Sequence, residues 1–294
     1  MSSFAFDQAE GLRRLLGRDR LRVIAVASGK PRVGQTSVVI NLAHALATQG
    51  KSVLIIDEGI GADSSAARLG LAPRFELSQV LKQQIALPQA LLSYGAALQV
   101  LPAREGLRRA AHLMPESRDQ LARALAMLPR QPDIVLIDLA ADRSHITLAA
   151  TAAADDVLVV VSPEHAAITQ SYALIKQLAQ EYGRRHFHLL AAKTKTSGDA
   201  TAVYNNMRAA ATRYLSARLE ELNPIPWDET VKRANRLAKP VVEIFPDAPS
   251  SRAYRALAQA IAVWPMMRED DGHLEGFLQR LIMSSKMTES AVRA

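Results

Sequence analysis

The chain has 294 residues and a 49% apolar fraction, enough for one large domain or two small ones. With aromatics at only 5%, its core must be built from Leu, Val, Ile and Ala. It has no cysteine, which excludes disulfides, thiolate metal sites and a cysteine nucleophile. The net charge of +7 is spread along the sequence and mixed with acids, the pattern of a mildly basic surface rather than a nucleic-acid track.

Residues 1–22 lack the apolar stretch of a secretion signal, and no apolar run reaches the ~20 residues of a membrane span, so a cytoplasmic protein is expected. Asp7–Gly17 reads as a short amphipathic helix with Ala9, Leu12, Leu15 and Leu16 as its stripe. Residues 22–27 form an apolar run that predicts a buried strand. A helix is expected over 36–49, stopped by Gly50, and a second strand over 52–57. Further strands are expected at 98–101, 134–138, 157–161 and 186–192, and helices at 117–128, 167–182 and 200–219. Continuous apolar strands alternating with helices predict an α/β fold, a doubly wound, mainly parallel sheet with helices on both faces. Ligands in such sheets bind at the carboxyl ends of the strands.

The segment between the first strand and the first helix reads Gly29-Lys30-Pro31-Arg32-Val33-Gly34-Gln35-Thr36. A phosphate-binding loop has Gly, four residues, Gly, Lys and then Ser or Thr. Every position fits except the lysine, which is Gln35. Gly29, Lys30, Arg32, Val33, Gly34, Gln35, Thr36 and Ser37 are therefore the candidate cofactor-binding residues. Backbone N–H groups of such a loop cradle phosphates, and the Thr36 hydroxyl can ligate Mg²⁺. Gln35 can donate a hydrogen bond but carries no charge, and the exchange costs about tenfold or more in affinity. Pro31 removes an N–H, and Arg32 stands where glycine would let the backbone approach a phosphate.

Together these residues resemble the MinD/ParA family of deviant-Walker ATPases, whose signature lysine is matched by Lys30. In that family this lysine reaches across an ATP-bound dimer to the partner's phosphates. Asp57-Glu58-Gly59 is similar to the family's Asp-x-Asp motif with the second Asp lost, and Asp138 matches the acid ending its third motif. The resemblance implies Lys30, Asp57 and Asp138 as catalytic residues, Thr36, Asp57 and Asp138 around Mg²⁺, and ATP or ADP held weakly or not at all. The family's adenine-contacting Asn is absent from 191–195.

Within the family the chain is similar to the flagellar-number regulators of the FlhG/FleN group. Three stretches carry this. They are Asp7-Gln8-Ala9-Glu10-Gly11-Leu12-Arg13, then Ser162-Pro163-Glu164 through Lys176, then Ile225-Pro226 through Ala253. The resemblance implies that Asp7, Gln8, Ala9, Leu12 and Arg13 engage an FlhF-like GTPase. It also implies that the body engages a flagellar transcriptional activator or basal-body component, and that nucleotide governs a homodimer weakly. The expected division is a partner-binding segment at 1–20, a P-loop domain at 21–264, and a C-terminal amphipathic helix and tail at 265–294. In that last segment Leu274, Phe277, Leu278, Leu281 and Ile282 share helical spacing. They suit either peripheral attachment at the inner membrane or cell pole, or packing on the body; Arg280 and Lys286 are a thin basic contribution to the former. The expected function is regulation of flagellar number and gene expression by protein contact. The alternatives are an active MinD-like ATPase and a ParA-like DNA-partitioning protein, the latter opposed by the N-terminal motif.

His186 and His188 flank Phe187 at strand alternation and could share a face, but no third metal ligand stands out in the sequence. Arg184, Arg185, Lys193 and Lys195 read as a basic, solvated cluster, and Trp227 reads as core or interface packing.

Overall fold

Every residue of strand β1 (Arg22–Ala27) is buried, as a run without polar alternation requires. The computed structural model describes residues 21–110, 121, 123–124, 128, 131–265 and 274–292. The strands that follow are β2 (Val53–Asp57), β3 (Leu92–Tyr94), β4 (Leu98–Pro102), β5 (Ile134–Asp138), β6 (Asp156–Val161), β7 (His186–Thr194), β8 (Arg218–Glu221) and β9 (Ile225–Pro226). The sheet runs β3-β4-β2-β5-β1-β6-β7-β8, with β9 also paired to β7. Among the described residues, only the short β3 is antiparallel to its neighbour. The expected α/β doubly wound class is the observed one.

The main helices are α1 (Gln35–Thr48), α2 (Ser65–Arg68), α3 (Arg104–Ala110), α4 (His145–Ala153), α5 (His165–Glu181), α6 (Ser197–Leu215), α7 (Glu229–Arg236), α8 (Pro249–Ala262) and α9 (Leu274–Val292). Helix α1 packs on β2 and β5 on one side and on α8 on the other, so its Ala, Val, Ile and Leu residues are buried nearly all round. The helix expected at 200–219 ends earlier. Ser216 adopts a left-handed φ of 48°, which stops α6, and Leu219 belongs to β8. The expected Asp7–Gly17 helix and the candidate partner-binding residues Asp7, Gln8, Ala9, Leu12 and Arg13 lie outside the described residues. So does most of the helix expected at 117–128.

Helix α9 lies across α4. Phe277, Leu278, Leu281 and Ile282 are buried, and the Arg280 guanidinium donates to Ala153 O and Asp155 Oδ1, each at 2.7 Å. These four residues of the expected stripe therefore face the body, and the side chain of Leu274 lies outside the described residues.

At the amino end of β7, parallel pairing sets His188 beside Glu220. Glu220 is the third potential ligand that sequence spacing did not reveal, because it arrives from β8, beyond a whole helix. His186 Nε2 lies 3.2 Å from Glu220 Oε1, and His188 Nε2 lies 3.3 Å from Asp156 Oδ1. Trp264 stacks on His188 at 3.7 Å. Arg184 and Arg185 sit at this end too, bonded to carbonyls of Ala154 and Leu215, whereas Lys193 lies at the opposite end of β7. The expected solvated cluster is thus split between the two ends of one strand.

Candidate functional site

The carboxyl ends of β1, β2, β5 and β7 converge on a cavity of about 590 Å³, within the usual size of a ligand pocket. The loop 28–36 forms one wall. Gly29 is fixed by a close approach: a Cβ there would lie 2.2 Å from the backbone of Gln170 and Ser171 in α5. Gly34 caps α1 with a left-handed φ of 107° and no side-chain acceptor. Helices α2, α4, α6 and α7 are capped by Ser64, Ser144, Thr196 and Asp228, whereas α5 and α8 also lack a side-chain cap. The first-turn amides of α1 are thus left facing the cavity, the arrangement of an anion cradle. Arg32 adopts a φ of 65°, so a residue with a Cβ occupies the backbone conformation that glycine would take.

The side chains are arranged differently from a simple lysine-for-glutamine exchange. Gln35 is buried and turned away from the loop. Its Nε2 donates to Asp138 Oδ1 at 2.8 Å and to Leu139 O at 2.5 Å. The other oxygen of Asp138 accepts from Ser65 Oγ at 2.8 Å, and Thr36 bonds the same carboxylate. Ser37 Oγ accepts from Arg68 Nη1 at 3.0 Å, and Arg68 also pairs with Asp63. Lys30 is held in cis, with its ammonium 2.5 Å from Glu164 Oε2 at the head of α5. Val33 is buried beneath the loop.

Asp57 and Asp138 are register partners on β2 and β5. Burial, then the neighbouring Asp138 charge, raises Asp57 to about 6. Burial likewise raises Asp138. Two desolvated carboxylates side by side, with the Thr36 hydroxyl beside them, form an oxygen donor set suited to a hard divalent cation. Asp57 also organises the chain, accepting Gly59 N and Ala66 N, each at 2.9 Å. At Gly59 a Cβ would lie 2.7 Å from Ser64 Cα and 2.8 Å from Asp57 Oδ1. A side chain at that position would require Ser64 and the Asp57 carboxylate to shift.

Glu58 points away from the cavity, and its Oε2 accepts Ala140 N at 2.7 Å. Burial pushes its carboxyl to about 7. Its folded-state value lies above its unfolded one, so the folded chain binds the extra proton. The contribution of Glu58 to stability is therefore fully present below about 4.5 and is lost as pH rises through about 7, by about 3 kcal/mol in total. Glu58→Gln keeps the acceptor and removes the ionisation. Denaturant melts from about pH 5 to about pH 8 should show the variant gaining stability at the alkaline end. Parallel pH profiles for variant and wild type would contradict this.

The far end of the cavity is lined by Ala192, Ile225, Pro226, Trp227, Val231 and Asn235. Trp227 is partly exposed there, with the Lys232 ammonium 4.5 Å from its ring centre, so it is a cavity wall rather than core packing. The sequence offered no signal for Arg68 or Ser65, and it marked Glu164 only as part of the family resemblance, not as a partner of the loop; all three reach the loop from separate elements.

The AAA domain family profile matches residues 21–187. The antiactivator FleN of Pseudomonas aeruginosa is 33% identical over 262 residues, covering 89% of this chain and 94% of that protein. The chain belongs to the MinD/ParA family of P-loop proteins. The flagellum site-determining protein YlxH of Helicobacter pylori is 26% identical, covering 77% of this chain and 76% of its own length. A solved MinD/ParA structure, the septum site-determining protein MinD of Pyrococcus horikoshii complexed with Mg-ADP, superposes with a TM-score of 0.63 at 20% identity. The match covers 83% of this chain and 96% of that one, and it shows the shared fold. Among the described residues, no helix is long and apolar enough to cross a membrane.

Proposed function

We propose that this chain is a regulator of flagellar number and flagellar gene expression that acts by protein contact and hydrolyses ATP weakly or not at all. The observation that carries the proposal is the position of Gln35. Its amide is engaged by Asp138 and Leu139, so it presents neither charge nor donor to a phosphate. Gly59 points the same way, because the family's water-placing carboxylate is missing there and the close approach of Ser64 fits glycine. Similarity to FleN across most of both chains supports the flagellar role.

The site still fits a nucleotide. The uncapped α1 amides, Gly29 and Gly34 would hold phosphates, while Thr36, Asp57 and Asp138 would hold Mg²⁺. When bound, Mg²⁺ would neutralise phosphate charge. The chain's own residues orient the phosphates and set how far water is excluded. Lys30, released from Glu164, would be free to reach a second copy in a homodimer. In this reading 1–20 is the contact segment for an FlhF-like GTPase, 21–264 the switch body, and 265–294 a helical appendage that either packs or meets the inner membrane.

Two measurements test the proposal. Removing the gene from its host should raise the number of flagella per cell counted by electron microscopy. The full chain should restore the count, and a chain lacking residues 1–20 should not. An unchanged count on removal would contradict the regulatory role. In vitro, Gln35→Lys should tighten Mg·ATP binding by about tenfold or more in calorimetry. Equal affinities would contradict the assignment of the defect to residue 35.

A further inference from the structure

We propose that Lys193 is the phosphate-binding cation of this site, entering from the end of β7 to stand in for the lysine that Gln35 replaces. The inference rests on the nucleotide reading above. It concerns a residue that the sequence placed on a solvated surface.

Lys193 adopts a φ of 61°, where the β7–β9 register shifts between Ala192 and Thr194. A left-handed lysine at a strand end is unfavourable unless the surroundings enforce it, and such outliers gather at ligand sites. Here the kink directs the side chain along the phosphate loop. Its Cε lies 3.4 Å from where a Gly34 Cβ would stand, and its ammonium donates to Arg32 O. Arg32, the accepting residue, is itself left-handed.

The Lys193 ammonium is bonded to a neutral carbonyl rather than to a carboxylate. Burial, with help from the neighbouring cations Arg68, Lys232 and Lys30, pulls its pKa down. Glu164, the acid that opposes this effect, is bonded to Lys30. A desolvated ammonium among other cations at the mouth of a cavity is relieved by a polyanion. The cavity runs from this loop to the apolar wall of Ile225, Pro226 and Trp227, so phosphates at one end and a base at the other match its lining. Gln35 is unavailable for the role because its amide is already bonded to Asp138 and Leu139.

The test is calorimetry of the full chain with AMP, ADP and ATP in Mg²⁺, carried to millimolar nucleotide. Lys193→Met keeps the stem and removes the charge. It should weaken ATP binding by about tenfold to a hundredfold and AMP binding least, because the lost partner is the phosphate chain. Lys193→Arg should retain most of the affinity. In a Gln35→Lys background the loss from Lys193→Met should shrink, since a second cation then serves the same phosphates. An equal loss for all three nucleotides, with a lowered Tm, would make Lys193 a residue that merely holds the loop and would overturn the proposal. Tighter binding by Lys193→Met would make it a plug, with the same consequence. Unchanged affinity would remove Lys193 and leave the nucleotide reading standing. Failure of the wild-type chain to bind any of the three would overturn the nucleotide reading itself and the proposal with it.

Discussion

Gly29→Ala is expected to destabilise the chain by at least about 3 kcal/mol and to abolish nucleotide binding. Overpacking against flexible side chains is relieved by small rotamer shifts. Here the new methyl group would meet backbone atoms of Gln170 and Ser171 at 2.2 Å, and backbone inside a helix cannot move aside alone. Either α5 moves off the sheet or the loop 28–36 shifts from its place over β1. The first breaks the packing of Leu174, Ile175 and Leu178, which are fully or nearly fully buried. The second dismantles the uncapped amides at the head of α1. Urea denaturation should show a lowered midpoint with an unchanged slope. A midpoint equal to that of the wild type would mean that the loop and α5 do not touch in solution.

Phe277→Ala should cost about 3–5 kcal/mol, the range for a buried aromatic side chain whose site cannot collapse. Phe277 is only 1% exposed on α9. The helix is tied to the body on the same face by Arg280, which bonds Ala153 O and Asp155. The size of the effect also decides what the helix does. A large loss fixes the apolar stripe on α4. A loss under about 1 kcal/mol would mean that the stripe is not packed in solution and is open to a membrane surface.

Much of the scaffold was legible because buried parallel strands are written as unbroken apolar runs. The residues 22–27 and 134–138 predicted from such runs are the observed β1 and β5. The loop 29–36 was legible as a frame because its glycines carry the constraint, and both occupy tight or left-handed positions. The use made of that frame was not legible. Gln35 read as a weakened phosphate donor, whereas its amide is committed to Asp138, a partner 103 residues away that only the β1–β5 pairing brings near. Lys193 read as a surface cation because a kink that turns a strand-end side chain inward leaves no mark in periodicity. Glu220 was missed beside His188 because β8 supplies it through register, not spacing. Gly59 read as a lost acid, and the close approach of Ser64 fits glycine there.

The phosphate loop is kept in shape while the side chains the family uses for hydrolysis are redirected, as at Gln35, or absent, as at Gly59. The most direct test is phosphate release from Mg·ATP by the full-length wild-type chain, followed at millimolar nucleotide over hours. The expected result is no sustained release above the protein-free rate, even where calorimetry detects binding. Steady turnover of many ATP per chain, abolished by Thr36→Ala, would contradict the account. It would mean that the committed Gln35 and the missing acid at Gly59 leave a working catalytic site.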